Sequence, residues 1–311
     1  MPGTPAVRSG LRVGKDVPVE TTPDSGEEAG GHAASSADSF GSPGTRSELR
    51  VSFDEVAEIY DRARHSYPPA AFADLFAYLR ERRDVAHPDV LEIGPGTGKA
   101  TRAFLDAGAT VTGVELGSKM AAFLRNAFSG EKALTVVEGA FEEVDLPASS
   151  FDVVTAATAF HWVDPAVRVD RSVELLRPSG VLATLSTVQV QSDVARGFFE
   201  RTAPIYARYH EAGDHGYVAP APEEATPPEF EELRGHTGLR DAVVMRYRWD
   251  QTYSTASYAD LLRSYSNVQV MASDDREGLI AELCELIEAE FGGTVVRPLV
   301  IALAMARRFA E

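Results

Sequence analysis

The chain has 311 residues, with 30 Lys and Arg against 47 Asp and Glu and a formal net charge of −17. That length can bury a substantial core. A charge so negative argues against a nucleic-acid or anionic-membrane surface, because such binders carry a basic face. The single cysteine, Cys284, excludes an intramolecular disulfide framework and a cysteine-rich zinc site, so no metal is expected. No apolar run of about 18 residues is present to span a membrane. The amino terminus has no apolar signal segment, and the expected location is the cytoplasm.

Residues 1–46 are rich in Gly, Pro, Ser and Thr and show no apolar period. They read as a disordered tail. With 4 basic and 6 acidic residues they leave −15 on residues 47–311. Ser52 and Glu55 then form a capping-box pattern, and Phe53, Val56, Ala57 and Tyr60 follow at helical spacing. Pro68 and Pro69 open a second helix with Phe72, Leu75, Phe76 and Leu79 on one face. Together they predict an N-terminal helical cap over 53–80.

From Asp89 strands and helices alternate. Val90–Ile93 is a short buried strand ended by a glycine turn, and Lys99–Ala107 is a helix stopped by Gly108. Thr110–Val114 is the second strand. Ser118 opens a helix carrying Met120, Phe123 and Leu124, and Leu134–Val137 and Phe151–Ala156 are further strands. Asp164 and Pro165 start a helix running to about Leu176, and Pro178-Ser179-Gly180 turns the chain into Val181–Ser186. This alternation predicts an α/β fold: a Rossmann-like, doubly wound, mostly parallel sheet with helices on both faces. The core covers 89–187. Residues 188–238 break the rhythm with a helix near Phe198–Tyr209 and a Pro/Glu-rich stretch, and read as an inserted lid. Residues 239–311 supply a strand at Ala242–Trp249, helices near Tyr258–Arg263 and Glu277–Phe291, and a last strand within Val295–Met305. Cys284 falls on the helical face of Ile280, Leu283 and Ile287, as a small core residue does.

The chemistry concentrates at Val90-Leu91-Glu92-Ile93-Gly94-Pro95-Gly96-Thr97-Gly98-Lys99. Glycines there let the backbone bend sharply and approach a ligand closely. A dinucleotide fingerprint needs its third glycine at position 99, where Lys stands, and a phosphate loop needs a closing Gly-Lys-Ser/Thr that is absent. Glu92, two residues before the first glycine, disfavours a pyrophosphate and suits a ligand with a positive amino group. Glu115 stands at the carboxyl end of the second strand, where an acid can accept ribose hydroxyls. The implied ligand is an adenosine-type nucleoside with a cationic, unphosphorylated extension, a description that S-adenosylmethionine fits.

On these residues the stretch 53–187 resembles the class I S-adenosylmethionine-dependent methyltransferases of the small-molecule type (methyltransferase type 11), which include ubiquinone-biosynthesis and trans-aconitate methyltransferases. Leu91–Gly98 is similar to their first motif and Glu115 to their ribose acid. Gly139-Ala140-Phe141-Glu142 is similar to their adenine-edge segment. Phe151–Val154 and Phe160-His161-Trp162-Val163-Asp164 resemble their fourth strand and the loop after it, and Leu176–Gly180 the turn before the fifth. Tyr60-Asp61-Arg62-Ala63-Arg64-His65-Ser66-Tyr67-Pro68 resembles their N-terminal segment. The resemblance implies a seven-stranded sheet and one methyltransferase domain over 47–311.

It also implies roles. Tyr60, Arg64, Glu92, Gly94, Gly96, Gly98, Glu115, Leu116, Ala140, Phe141, Glu142 and Ala157 would hold S-adenosylmethionine, with Arg64 on the methionine carboxylate. Many relatives have Asp where Ala140 stands, so the adenine amino group is left to the Phe141 N–H and Glu142. His161 is the expected general base, with Tyr60 the second catalytic candidate. Trp162 and Tyr67 would wall the substrate. The expected function is methyl transfer to a small-molecule acceptor, a metabolite or natural product. The alternative is a protein of the same fold that binds the cofactor without transferring methyl, cyclase-like or regulatory. The motifs say nothing about oligomeric state.

Overall fold

The computed structural model describes residues 9–13, 17–18, 63, 66–209 and 219–310. The sequence-predicted helix around 53–60 lies outside these residues.

The parallel strands are β3 (Asp89–Ile93), β4 (Thr110–Glu115), β5 (Leu134–Glu138), β6 (Phe151–Ala157) and β7 (Leu176–Gln189). Two long strands follow, β8 (Leu239–Ser254) and β9 (Thr294–Arg308), with β9 antiparallel to both β7 and β8. Two short segments, β1 (Ser9–Val13) and β2 (Val17–Pro18), join the β8 edge, β1 running parallel to it. Among the described residues the sheet is β2-β1-β8-β9-β7-β6-β3-β4-β5. The chain steps outward from β3 through β4 to β5, then returns to β6 on the other side of β3. That reversal puts a crevice at the carboxyl ends of β3 and β6, the place where such sheets bind ligands.

The expected seven strands are thus joined by two more. Ser9–Val13 falls in the segment read as a structureless tail; the rest of that segment is not described. Composition misses such a strand because pairing with the β8 edge uses backbone N–H and C=O groups, which need no apolar period.

Successive residues of the central strands go to opposite faces, as the pleat requires. Val90, Val153, Val181 and Leu303 pack with α1 (Pro69–Arg80) and with Phe104 of α2 (Lys99–Asp106). Leu91, Val154, Leu182 and Ala304 pack on the other face, with Val169 and Leu175 of α4 (Arg168–Leu175) and Phe230 and Leu233 of α6 (Phe230–Gly235). Helix α3 (Ser118–Ala127) connects β4 to β5. Phe72 meets Phe104 edge to face at 4.9 Å between centroids, which fixes α1 on α2.

A third cluster lies at the carboxyl edge. There α5 (Phe198–Tyr209) packs on α7 (Thr255–Arg263) and α9 (Ser273–Phe291) through Phe198, Tyr258, Leu262, Leu279, Leu283 and Ile287. A short α8 (Ser266–Gln269) joins α7 to α9, and Cys284 is half-buried against this cluster. The segment 188–238 is therefore not one unit. Its first half builds this helical layer, while α6 in its second half packs on the sheet face shared with α4. The turn at Pro178-Ser179-Gly180 survives inside β7: Ser179 has φ +62°, and the pairing with β6 slips between Phe151 and Val153.

Candidate functional site

The crevice at the β3/β6 reversal is a deep cleft, and the glycine turn forms its floor. The three glycines there have positive φ for three different reasons. A Cβ on Gly94 (φ +63°) would meet the Ala159 methyl at 2.8 Å, so this glycine lets the β3 loop pack on the loop after β6. A Cβ on Gly98 (φ +89°) would meet the Phe128 ring at 2.5 Å, so this one packs the α2 start on α3 and the residue after it. Gly98 does not line the cleft. A Cβ on Gly96 (φ +56°) would meet nothing within 4 Å. It would project into the open cleft, so Gly96 leaves that space for a ligand.

Two carboxylates face this turn. Glu115 accepts the Gly96 N–H (2.9 Å) on one oxygen and the Gly117 N–H (3.1 Å) on the other. It staples the glycine turn to the loop after β4, a role that its position at a strand end did not reveal. Glu92 is 1% exposed, and its Oε2 accepts from the Thr101 hydroxyl at 2.6 Å. Burial pushes its pKa up to about 7; the Thr101 hydrogen bond opposes this and the nearby Glu115 charge adds to it. Thr97 also lines the cleft, and its buried Oγ1 has no hydrogen-bond partner among the described residues.

Beyond Glu115 the wall turns apolar. Leu116, 36% exposed, lines the cleft together with Met120, Phe141 and Val163. Arg171 of α4 holds Phe141 in place, donating from Nε to the Phe141 carbonyl at 2.6 Å with its guanidinium over the ring. Phe141 lines the cleft and Ala140 does not. Glu142 is turned to structural use: its Oε1 accepts the Asp164 N–H at 3.0 Å, tying the adenine-edge segment to the end of the His-Trp loop. An open cradle at Gly96, acceptors at Glu115, an orphaned hydroxyl at Thr97, an apolar slot and a buried acid together fit an adenosine with a cationic tail.

At the other end, Ala157 and Thr158 close β6. Thr158 has φ +55°, rare for a β-branched residue, and its hydroxyl hydrogen-bonds Tyr67 Oη at 3.0 Å. Both line the cleft, as do Trp162 and Thr187. Sequence reasoning passed over Thr158, Thr187 and Met120; only adjacency to a strand end or to a motif marks them. His161 is not in the cleft wall. Its ring lies 4.9 Å from that of Trp162, and its charge acts on Glu229, just before α6. Glu229 is 1% exposed, its Oε2 is unpartnered, and burial raises its pKa while His161 and Arg168 oppose the rise. His161 is thus adjacent to the cleft-lining Trp162 and is not itself in the wall. Tyr60 and Arg64 lie outside the described residues.

The comparisons agree with this geometry. Residues 91–184 match the family described as a methyltransferase domain. An uncharacterised methyltransferase of Mycobacterium tuberculosis (strain ATCC 25618 / H37Rv) is 36% identical over 138 residues, 44% of this chain and 53% of that protein. The chain thus spans about half the length of this relative. One from Geobacillus kaustophilus is 27% identical over 191 residues, covering 54% of this chain and 87% of the relative. A solved structure from Anaeromyxobacter dehalogenans, assigned as a type II methyltransferase, shares the fold with a TM-score of 0.52 at 22% identity, over 80% of this chain and 99% of that one. Among the described residues no helix is long and apolar enough to cross a membrane. Residues 91–184 of this chain thus match the methyltransferase-domain family.

Proposed function

We propose that the protein binds S-adenosylmethionine in this cleft and transfers its methyl group to a small-molecule acceptor. The observation that carries the reading is the open Gly96 cradle beside Glu115, with the apolar slot of Leu116, Met120 and Phe141 beyond it. Bound there, the sulfonium supplies an already activated methyl group. The protein's part is to orient the acceptor and exclude water. Glu115 would accept the ribose hydroxyls and the apolar slot would hold the adenine. Glu92 would face the amino group of the methionine portion, which favours its ionised form. Tyr67, Thr158, Trp162 and Thr187 would form the acceptor side, and the faces of Tyr67 and Trp162 can favour a cation by about 0.5–2 kcal/mol.

Calorimetry with S-adenosylhomocysteine and NADH tests the ligand class; binding of NADH alone would overturn the reading. Because Glu92 titrates near neutrality, S-adenosylhomocysteine affinity should rise between pH 6 and 8, and Glu92→Gln should flatten that rise. Methyl transfer is then tested by following a labelled methyl group from S-adenosylmethionine into candidate acceptors. A protein that binds the cofactor yet labels none of a broad metabolite extract would fit the alternative of cofactor binding without transfer.

A further inference from the structure

Arg297, near the start of β9, is 8% exposed at the carboxyl edge of the sheet. It donates from Nη2 to Gln189 Oε1 at 2.7 Å and from Nη1 to Tyr265 Oη. Its buried Nε has no partner. A guanidinium carries five donors, so two hydrogen bonds leave it under-used. The side chains acting most strongly on its charge are the hydroxyls of Tyr265, Tyr258 and Tyr253, and no carboxylate lies within ion-pair distance among the described residues.

The other buried arginines differ. Arg168 pairs with Glu232 and Arg307 with Glu81, while Arg246 donates to the Ala225 carbonyl and the Thr226 hydroxyl and feels Glu223. A buried cation without an anion is costly, and buried charges are as a rule paired. Two residues after Tyr265, Asn267 is buried at 3% exposure with an unpartnered Oδ1.

The register connects this group to the cleft. Gln189 pairs with Leu299, so Gln189, Leu299 and Arg297 share one face of the sheet, and so does Thr187. Thr187 lines the cleft, and Gln189 lies about 7 Å further along the same strand. Tyr265 reaches the arginine from the connection between α7 and α8, with Tyr258 of α7 behind it. The guanidinium therefore lies on the sheet face of Thr187, beyond it along the strand and outside the cleft wall itself.

We propose that Arg297, with Gln189 and Tyr265, is an anion subsite that takes a carboxylate on the acceptor molecule. A single cation among neutral hydroxyls balances one negative charge, which favours a carboxylate over a phosphate dianion. This rests on the cleft being the methyl-donor site, and it narrows the acceptor class to carboxylic acids.

The test uses the full chain with benzoate and its uncharged counterpart benzamide as probes at millimolar concentration. Thermal shift and ligand-observed NMR are read with and without S-adenosylhomocysteine. Benzoate should stabilise the wild-type protein and benzamide should not, and Arg297→Gln should remove the difference. Gln189→Glu should remove it too, while raising the melting temperature, because it places an anion on Arg297 from within. The second variant keeps the test decisive if Arg297→Gln fails to fold. Equal responses to benzoate and benzamide in the wild type would overturn the proposal, as would a benzoate response that persists in either variant. A stronger response to inorganic phosphate than to benzoate would overturn the carboxylate assignment. S-adenosylhomocysteine binding is scored separately, so loss of the donor reading and loss of this subsite are distinct results.

Discussion

The two ends of the sheet treat buried charge in opposite ways. At the amino end, Asp152 opens β6 at 1% exposure. It accepts from Arg83, from Arg177 at 2.9 Å and from the Asp89 N–H at 2.9 Å. On the same end Arg307 has Glu81 at 2.8 Å and lies 3.7 Å from the Tyr78 ring centroid. At the carboxyl end, Glu92 is as deeply buried as Asp152 but has a hydroxyl where Asp152 has two arginines. Arg297 has tyrosines where Arg307 has a glutamate. One end pairs its buried charges with opposite charges, and the other holds them with hydroxyls and an amide.

The comparison breaks most sharply at Asp152. Asp152→Ala should lower unfolding free energy by about 2–3 kcal/mol in urea denaturation, since it strands two partly exposed arginines. A loss under about 1 kcal/mol would mean that the pairing is ornamental. Glu115→Ala should weaken S-adenosylhomocysteine binding by about 1.5–3 kcal/mol, because the acid supports both the ribose and the glycine turn. Unchanged affinity by calorimetry would remove it from the site.

Removing the buried acid at the other end should act with the opposite sign. Glu92 has a raised pKa in the fold, about 7 against the usual 4.5. The folded state binds the extra proton in that window, so its contribution to stability is full below pH 4.5 and lost as pH rises to 7. The full swing is roughly 3 kcal/mol. Glu92→Gln should therefore raise the melting temperature of the ligand-free protein at pH 8, by about 1–2 kcal/mol in stability, and do little at pH 4.5. A Glu92→Gln protein less stable at pH 8 would refute the strained acid. The smallest effect is expected at His161. Placed beside the cleft and not in its wall, it should tolerate His161→Asn with turnover within about threefold of wild type. A loss of ~10²–10⁴-fold would restore it as general base.

Much of this was legible before any coordinates. Alternating apolar residues with Gly and Pro punctuation carry β3, β6 and the helices α1, α2 and α9, because strand and helix periods are local properties. The glycine turn and Glu115 mark the site because their spacing is itself the chemistry. What escaped depends on distant partners. Gly98 looks like its neighbours in the motif, and only Phe128, 30 positions later, shows that its role is packing. Glu142 accepts the Asp164 N–H, a contact across 22 positions that no local pattern shows. His161 stands in a motif loop, yet Phe160 turns inward and Trp162 takes the cleft side. Arg297 read as a late-strand residue, since nothing near it in sequence shows that it is buried among tyrosines.

The Glu115 staple has a consequence for how fast the site fills. By accepting the Gly96 and Gly117 N–H groups, it ties the glycine turn to the loop after β4 before any ligand arrives. A pocket shaped in advance loses little chain entropy on loading. Association should then follow simple diffusion into a ready mouth, on the order of 10⁵–10⁷ M⁻¹s⁻¹, with no lag for loop ordering. Discrimination between the methylated donor and its demethylated product would be expressed almost wholly in residence time.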